Sequence, residues 1–194
     1  MKAFFVWVNM LNNQIEVPTG LSAEEIDEFW MQHAYSLAAE AALEGEVPVG
    51  AVLVLNNKLV AEGWNKSIQN SDPTAHAEMI ALQKAGQQVG NYRLIDTTLY
   101  VTLEPCPMCA GAMVHARVKR LVYGAADLKT GAAGSVFNLV NECRLNHRLE
   151  IEQGVLMEKC SKQISAFFKD RRKAHKLSKA EAKKNSCGSV LPHV

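Results

Sequence analysis

The sequence predicts an α/β fold, a three-layer α/β/α sandwich around a central mixed sheet of about five strands. Stretches with helical periodicity alternate with short β-branched runs in the order α, β, β, α, β, α, β, followed by a further strand and helix. The chain has 194 residues, of which 48% are hydrophobic, so it is long enough to bury one substantial core. It contains no run of about 18 apolar residues, so we expect no membrane-spanning helix.

The first helix is predicted from its start and stop signals. Ser22 is a candidate N-cap, and Glu25 follows three residues later, which is the spacing of a capping box. Apolar residues then recur at helical spacing, and Gly45 is a suitable stop. These features predict a helix over residues 23–43.

A β-hairpin and a second helix follow. Residues 47–64 are β-branched and apolar on both sides of Asn56 and Asn57, and asparagines tolerate the positive φ of a tight turn. Residues 72–86 have Asp72 as a candidate cap, a proline directly after it and a glycine at the end. This second pattern predicts a helix over the whole of that stretch.

The rest of the chain continues the alternation of strands and helices. Prolines open one of these helices and leave Cys106 and Cys109 at its N-terminus. The predicted elements are a strand at 97–104, a helix over 105–118, a strand at 120–125, a glycine-rich loop at 127–135, a short helical stretch, a strand at 147–153 and a final helix from about residue 157.

Charge is distributed unevenly, although the formal net charge is only +1. Residues 169–184 contain eight lysines and arginines and two acidic residues, so the rest of the chain is net negative. Such a basic arm is either a solvated helix end or a surface that contacts phosphate groups, and the composition leaves both interpretations open.

The cysteines indicate a reducing compartment. There are five, an odd number, and only Cys106 and Cys109 are close together, which argues against a disulfide framework and for a cytoplasmic protein. The opening MKAFFVWVNML has the lysine and apolar run of an export signal, but no small-x-small cleavage site follows it. We therefore expect an additional, poorly ordered N-terminal segment rather than a signal peptide.

The two close cysteines are candidate metal ligands. Their spacing directs both thiolates at one point, and the positive end of a helix favours the deprotonated form. Taken alone, such a pair is equally consistent with a redox pair or with half of a structural zinc site. Because the sequence has no second C-x-x-C and no H-x3-H, His76 is the candidate third ligand. Three protein ligands leave the fourth position of zinc open for a water, as in catalytic sites.

Glu78 lies two residues after His76, where a carboxylate can be next to the metal-bound water without being a ligand. It can take a proton from that water and return it to a leaving group. The combination of H-x-E with P-C-x-x-C is the signature of zinc-dependent nucleobase deaminases. We therefore predict a deaminase with Zn2+ as cofactor and Glu78 as catalytic residue.

Six segments together resemble the bacterial tRNA-specific adenosine deaminases of the cytidine/deoxycytidylate deaminase superfamily. The segments are VPVGAVLV, GWN, DPTAHAE, TLYVTLEPCPMCAGAM, DLKTGAAGS and FFKDRR. The resemblance implies a cytidine-deaminase-like domain over residues 22–175, an N-terminal extension over 1–21 and a flexible basic tail over 176–194. It also implies one zinc per subunit and a homodimer in which the anticodon stem-loop contacts both subunits.

The activity that the resemblance implies is hydrolytic deamination of the wobble adenosine of an arginine tRNA to inosine. Water on zinc would attack C6, and Glu78 would protonate the ring nitrogen and then the departing amine. The implied substrate-binding residues are Val49, Asn65, Thr74 and Ala75 around the base, Asp127 and Lys129 at the anticodon-loop backbone, and Phe167, Phe168, Arg171 and Arg172 on the RNA surface.

Some of these residues have simpler explanations. Val49 and Phe167 are equally suited to the core, and Asn65 to capping a turn. An acidic Asp127 suits a 2'-hydroxyl better than a phosphate. Ala126 and Ala166 depart from the family pattern, which has arginine at the first position and commonly an acidic residue at the second; both lie on the expected RNA surface.

Two alternative functions remain. A deaminase of free bases or nucleosides, such as guanine or cytosine, would use the same metal ligands, but it would need neither the basic arm nor the DLKTGAAGS loop. A non-catalytic RNA-binding module stabilised by zinc would have no use for an unliganded Glu78 beside the metal.

Overall fold

The fold is built on one five-stranded mixed sheet. The computed structural model describes Ile15 and residues 17–187, with side chains through Lys179. Its elements are α1 (Ala23–Leu43), β1 (Gly50–Leu55), β2 (Lys58–Trp64), α2 (Ala77–Val89), β3 (Thr98–Leu103), α3 (Pro107–Ala116), β4 (Arg120–Ala125), β5 (Glu150–Gln153) and α4 (Met157–Cys187). The strand order is β2-β1-β3-β4-β5.

The sheet changes from antiparallel to parallel in its middle. Strand β1 is antiparallel to both β2 and β3, whereas β3, β4 and β5 are parallel. A short turn at Asn56 and Asn57, both with positive φ, joins the two hairpin strands, as predicted. The parallel strands need crossover connections, and α3 supplies the one between β3 and β4.

Two helical layers cover the two faces of the sheet. Because side chains alternate along a strand, Ala51 and Leu53 of β1 join the cluster beneath α2 and α3, whereas Val52 and Val54 join the cluster beneath α1. Cys160 of α4 belongs to the second cluster. The predicted three-layer α/β/α sandwich with five strands is therefore confirmed.

Helix α1 has the predicted capping box. The Ser22 hydroxyl accepts a hydrogen bond from the N–H of Glu25 at 3.2 Å, and the Glu25 carboxylate accepts one from the N–H of Ser22 at 2.9 Å. These two bonds satisfy donors that the first turn of a helix leaves without partners.

The predicted start of the second helix was wrong. Helix α2 begins at Ala77 with His76 as its N-cap, and it ends at Val89 before Gly90, whose φ is +68°. The Asp72 carboxylate instead accepts the N–H of Thr74 at 2.7 Å, which stabilises a separate turn. The displaced start leaves His76 in extended conformation, at the point where the chain enters the helix.

The predicted short helix after the glycine-rich loop was also wrong. Residues 136–146 form turns, because their first N–H groups bond back to that loop. Phe137 N–H donates to Gly131 at 3.0 Å and Leu139 N–H to Ala132 at 2.9 Å, each to the backbone oxygen. Backbone bonds to residues six and seven positions earlier thus replace the i to i−4 bonds of a helix.

Helix α4 packs on β4 and then continues beyond the sheet. A Cβ at Gly124 would lie 2.6 Å from the Sγ of Cys160, so only glycine allows this close approach. The helix continues past residue 175 to Cys187. The boundaries at 21/22 and 175/176 remain predictions, and residues 1–14, 16 and 188–194 lie outside the described residues. Among the described helices, none combines the length and apolarity needed to cross a bilayer.

Candidate active site

Two helix N-termini bring the predicted metal ligands together. His76 is the N-cap of α2, Cys106 is the N-cap of α3, and Cys109 lies in the first turn of α3. The two sulfur atoms are 3.7 Å apart, and the Nδ1 of His76 lies 3.7 Å from the Sγ of Cys106 and 3.6 Å from that of Cys109. The three donor atoms therefore surround one point.

The donor geometry fits zinc. Zn–S bonds of about 2.3 Å and Zn–N bonds of about 2.05 Å at tetrahedral angles require about 3.8 Å between two sulfurs and about 3.6 Å between sulfur and nitrogen. The observed separations agree with these values to about 0.1 Å. One imidazole and two thiolates are also a ligand set that zinc prefers. The cofactor that the site holds is Zn2+.

The interaction between Cys106 and Cys109 shifts the pKa values of the two thiols in opposite directions. The sulfur atoms of Cys106 and Cys109 are within hydrogen-bond distance at 3.7 Å. This interaction, with a smaller contribution from His76, lowers the pKa of Cys106 to about 4 against the cost of desolvation. The same interaction raises the pKa of Cys109, and burial raises it further. With zinc bound, both cysteines would be deprotonated and would act as thiolate ligands.

Glu78 lies beside the metal ligands but outside the ligand group. It is the second residue of α2 and its side chain is only 3% exposed. Desolvation by burial raises the pKa of this carboxyl above its usual value. A buried carboxyl group beside a metal site is suited to accept and return protons.

A cavity of about 570 Å3 opens next to these groups. Two metal ligands, His76 and Cys106, and the carboxyl of Glu78 form part of its wall. The cavity is also lined by five of the predicted substrate-binding residues, which are Val49, Asn65, Asp127, Lys129 and Phe168. The other predicted residues, Thr74, Ala75, Phe167, Arg171 and Arg172, lie outside this lining.

Asn65 contributes to the fold and lines the cavity. Its side-chain oxygen accepts the N–H of Ala77, the first residue of α2, at 2.9 Å. Asn65 therefore caps the start of α2 and not the local turn that its simpler explanation predicts. That bond also orients the amide, and the amide nitrogen has no hydrogen-bond partner within the described part of the chain. Asn65 thus retains a donor at the cavity wall.

The residues around the predicted base pocket differ in exposure. Val49 and Ala75 are buried, at 5% and 4% exposure, and their backbone oxygens accept N–H groups of the chain that follows β2. Thr74 is exposed, and both its N–H and its hydroxyl donate to Asp72 at 2.7 Å. The structure brings Val49 to the cavity, whereas Thr74 lies on the turn that precedes His76.

The Asp127 side chain closes a turn of the glycine-rich loop. Its carboxylate accepts the N–H of Lys129 at 2.9 Å, the N–H of Thr130 at 3.2 Å and the hydroxyl of Thr130 at 2.7 Å. Burial opposes ionisation, but these donors outweigh it and lower the pKa of Asp127. The turn leaves Lys129 exposed at the cavity wall.

The predicted RNA-surface residues of α4 lie side by side. Phe167 is half-buried, Phe168 is 40% exposed, and their rings pack edge to face at 5.6 Å. The guanidinium of Arg171 lies 5.6 Å from the centre of the Phe167 ring and reaches the backbone oxygen of Gly45 at 3.5 Å. Arg172 is exposed, as are Ala126 and Ala166.

Sequence reasoning missed Glu104. This residue directly precedes the P-C-x-x-C segment, lines the cavity and is 2% exposed. An acidic residue at the end of an apolar strand was the available signal, because a charge is buried only where hydrogen bonds or a counter-ion compensate it.

Comparisons with known proteins agree with this geometry. Residues 24–125 match the family described as the cytidine and deoxycytidylate deaminase zinc-binding region. A tRNA-specific adenosine deaminase of Haemophilus influenzae is 55% identical over 157 residues, which are 80% of this chain and 91% of the relative. A tRNA-specific adenosine deaminase of Bacillus subtilis is 46% identical over 79% of this chain and 95% of the relative.

A solved structure from a study of A-to-I editing by tRNA:A34 deaminases at the wobble position of transfer RNA is also similar. It is 38% identical, covers 70% of this chain and 98% of its own, and has a TM-score of 0.68. Because relatives this similar cover most of the chain, and the zinc ligands are in place, the chain belongs to the family of tRNA-specific adenosine deaminases within the zinc-dependent cytidine and deoxycytidylate deaminases.

Proposed function

We propose that this protein converts adenosine to inosine at the wobble position of a tRNA anticodon, with an arginine tRNA as substrate. One observation carries the proposal: the zinc ligands His76 and Cys106, the buried Glu78, and Asn65, whose amide nitrogen has no partner among the described residues, all line one cavity. Its volume of about 570 Å3 is within the range of small-ligand sites and accommodates one nucleoside extruded from an RNA loop.

The reaction adds water to C6 of adenine and releases ammonia. A zinc ion held by His76, Cys106 and Cys109 supplies a Lewis acid that lowers the pKa of a coordinated water toward neutrality. Glu78 accepts one proton from the attacking water and delivers it to the ring nitrogen adjacent to C6. It then takes the second proton of the same oxygen, now bound to C6, and transfers it to the amine, which leaves as ammonia while the C6 carbonyl forms. Its burial excludes bulk water from this exchange.

Base recognition rests on the cavity walls. We assign the amide nitrogen of Asn65 as a donor to a purine ring nitrogen, because its oxygen is already bound to Ala77. Val49 supplies apolar contact on one side of the base. The backbone at Thr74 and Ala75 is the outer edge of the same pocket.

RNA contacts extend outward from the cavity. We propose that Asp127 and Lys129 contact the anticodon-loop backbone, with the Asp127 carboxylate accepting a 2'-hydroxyl. Phe168 is exposed at the rim, and an aromatic ring there offers a stacking surface for an unpaired base. Arg171 and Arg172 on the next turn of α4 supply positive charge near the same rim, and Phe167 supports Arg171.

We also propose a cytoplasmic homodimer in which the RNA contacts both subunits. Support for a second copy comes from an open, largely apolar groove of about 550 Å3 where α2 meets α3, lined among others by Met79, Leu82, Tyr92 and His115. Tyr92 is 67% exposed in the single chain. Sedimentation of the purified protein tests the stoichiometry.

The direct test compares four substrates. Purified protein with measured zinc content is incubated with an anticodon stem-loop carrying adenosine at the wobble position, its all-deoxy version, free adenosine and free guanine, and deaminated products are quantified by mass spectrometry. We expect inosine in the RNA alone. Equal turnover of a free base or nucleoside would replace the proposal with a small-molecule deaminase, and no product from zinc-loaded protein would favour a non-catalytic RNA-binding module.

A further inference from the structure

A buried carboxylate organises the loop that borders the cavity. The side chain of Glu104, at the end of β3, accepts four hydrogen bonds, all from residues 127–135. The Oε1 atom accepts the N–H groups of Ala133 and Ser135, each at 3.0 Å. The Oε2 atom accepts the N–H of Asp127 at 3.0 Å and the hydroxyl of Ser135.

No cation neutralises this carboxylate among the described residues. None of their ion pairs includes Glu104. A buried charge without a counter-ion is tolerated only when hydrogen bonds replace its hydration, and two acceptors with two donors each achieve that. Glu104 is therefore satisfied by the loop, and the loop depends on Glu104 for its position.

The loop is also shaped to receive the carboxylate. Gly131 is buried, and a Cβ at this position would overlap the carboxylate of Glu104. The same atom would lie 2.5 Å from the backbone oxygen of Asp127, which accepts the N–H of Gly131 at 2.9 Å. Glycine at 131 thus allows the loop to close around Glu104.

The loop and the zinc site share one strand end. Glu104 precedes the zinc ligand Cys106 by two residues, and the intervening Pro105 accepts the N–H of Ala132 at 2.8 Å. On the loop side, Glu104 bonds the N–H of Asp127, whose own carboxylate then holds Lys129 and Thr130. A short series of bonds therefore connects the metal-binding end of β3 to the cavity wall.

We propose that Glu104 is a positioning residue that sets the distance and orientation of the RNA-contacting loop relative to the zinc site, and so determines affinity for the RNA substrate. The inference rests on the proposed function for its kinetic consequence. It predicts that removal of the Glu104 hydrogen bonds acts on substrate binding, because neither Glu78 nor the zinc ligands bond to Glu104.

Glu104→Gln is the most informative variant because it keeps the size and shape of the side chain. The glutamine nitrogen cannot accept a hydrogen bond, and only the Ser135 hydroxyl can reverse its role and become the acceptor. The glutamine amide is therefore expected to place its nitrogen next to the Ser135 hydroxyl, and this orientation leaves the N–H of Asp127 without an acceptor. Because the variant loses a hydrogen bond to a charged group, we expect KM for the stem-loop RNA to rise by about tenfold or more. We expect kcat to change by less than about threefold.

A second variant addresses the same interaction from the loop. Gly131→Ala places a methyl group against the carboxylate without changing β3, so it tests the inference even if Glu104→Gln fails to fold. Glu150→Gln is the matched control, because it makes the same exchange at an exposed strand glutamate far along the chain. We expect Gly131→Ala to raise KM and Glu150→Gln to leave it unchanged.

The experiment combines kinetics with two readouts that need no catalysis. For each variant we would measure zinc content, kcat and KM on the adenosine stem-loop, and amide hydrogen exchange in the zinc-loaded protein. The expected result is raised KM, retained zinc and faster exchange at Asp127, with the amides of α3 unchanged. Unchanged KM and exchange, or loss of zinc with a fall in kcat, would overturn the inference.

The exchange data separate this inference from the proposed function. If the wild-type protein makes no inosine on any RNA, the proposed function fails, whereas faster exchange confined to the loop in Glu104→Gln and Gly131→Ala still supports the positioning role. Unchanged loop exchange in both variants contradicts that role whatever the enzyme's activity.

Discussion

The side-chain oxygen of Asn65 accepts the backbone N–H of Ala77 at 2.9 Å, which connects the end of β2 to the first residue of the helix that carries Glu78. The bond lies between His76, a zinc ligand, and the carboxyl that we assign as proton carrier. One side chain therefore orients the start of α2 and presents its amide nitrogen to the substrate cavity.

The two roles of Asn65 can be separated by substitution. Asn65→Asp retains an acceptor for Ala77 but loses the amide donor, so we expect stability close to wild type and a loss of kcat/KM of about tenfold to a hundredfold. Asn65→Ala removes both functions and should also cost about 1–2 kcal/mol of unfolding free energy. Chemical denaturation measures the change in unfolding free energy, and kinetics on the stem-loop RNA measure the change in kcat/KM. Equal kcat/KM for Asn65→Asp and wild type would mean that Asn65 has no role in base recognition.

Replacement of Glu78 tests the proton-transfer role. Glu78→Ala and Glu78→Gln should keep zinc, because the ligand group is formed by His76, Cys106 and Cys109. Deamination should fall by about two to four orders of magnitude or more, since the reaction then lacks its proton carrier. Metal analysis and product quantification check this expectation, and unchanged turnover would exclude Glu78 from the mechanism.

Removal of zinc should abolish activity without unfolding the sheet. The ligands lie at the N-termini of α2 and α3. Cys109 and Cys106 pack into one of the two apolar clusters on the faces of the sheet, but most of the buried side chains in both clusters come from other residues. We expect chelated protein to retain its circular dichroism spectrum, to unfold at a lower temperature because zinc binds only the native state, and to recover activity when zinc is restored. Complete unfolding on chelation would instead indicate a structural zinc.

The projecting part of α4 should determine the salt dependence of RNA binding. Lys169, Arg172, Lys173 and Lys176 recur at helical spacing and are exposed, roughly opposite the buried Cys160. Changing Lys169, Lys173 and Lys176 to glutamine should weaken binding and reduce the slope of log K against log salt by about 0.7–0.9 for each phosphate group that is no longer neutralised. Truncation after Arg172 should act in the same direction.

Binding measured at several salt concentrations distinguishes this surface from a solvated helix end. The exposed Glu150→Gln variant is a control for folding and handling, since it lies on β5 and away from α4. Identical slopes for wild type, the triple variant and the truncated chain would mean that the basic arm does not bind phosphate.

A peripheral pair predicts how stability depends on pH. The His33 Nε2 and the Glu62 carboxylate lie 2.7 Å apart, and their hydrogen bond lowers the pKa of Glu62 against an opposing effect of burial. A lowered folded pKa means that the native state binds the proton less tightly, so the stabilisation is present above about pH 4.5 and is lost as the pH falls through the folded pKa.

Glu62→Gln removes this dependence. Because the pair is partly exposed, we expect a loss of only about 0.5–1 kcal/mol near pH 7, with the difference from wild type vanishing at acid pH. Urea denaturation of both proteins at a series of pH values measures this difference in unfolding free energy. A difference that grows as the pH falls would contradict the assigned direction of the pKa shift.

Much of the fold was predictable because local patterns encode it. Alternation of β-branched residues identified the strands, Ser22 with Glu25 identified the start of α1, and the prolines around Cys106 identified the start of α3. These signals depend on interactions within a few residues. The same locality explains the prediction of two ligands from the spacing of Cys106 and Cys109, which lie on one helical turn.

Other features follow only from interactions between distant segments. The sequence by itself determined the element types, the His76, Cys106 and Cys109 ligand set and the chemistry open to Glu78. The tertiary structure decided that α2 starts at Ala77, that residues 136–146 remain turns and that Glu104 supports the loop at Asp127. The bonds of Asn65 to Ala77 and of Glu104 to Asp127 join segments that the strand order brings together. Residues 136–146 instead bond back to Gly131 and Ala132 of the preceding loop, and no helix or strand periodicity in the sequence marks any of these bonds.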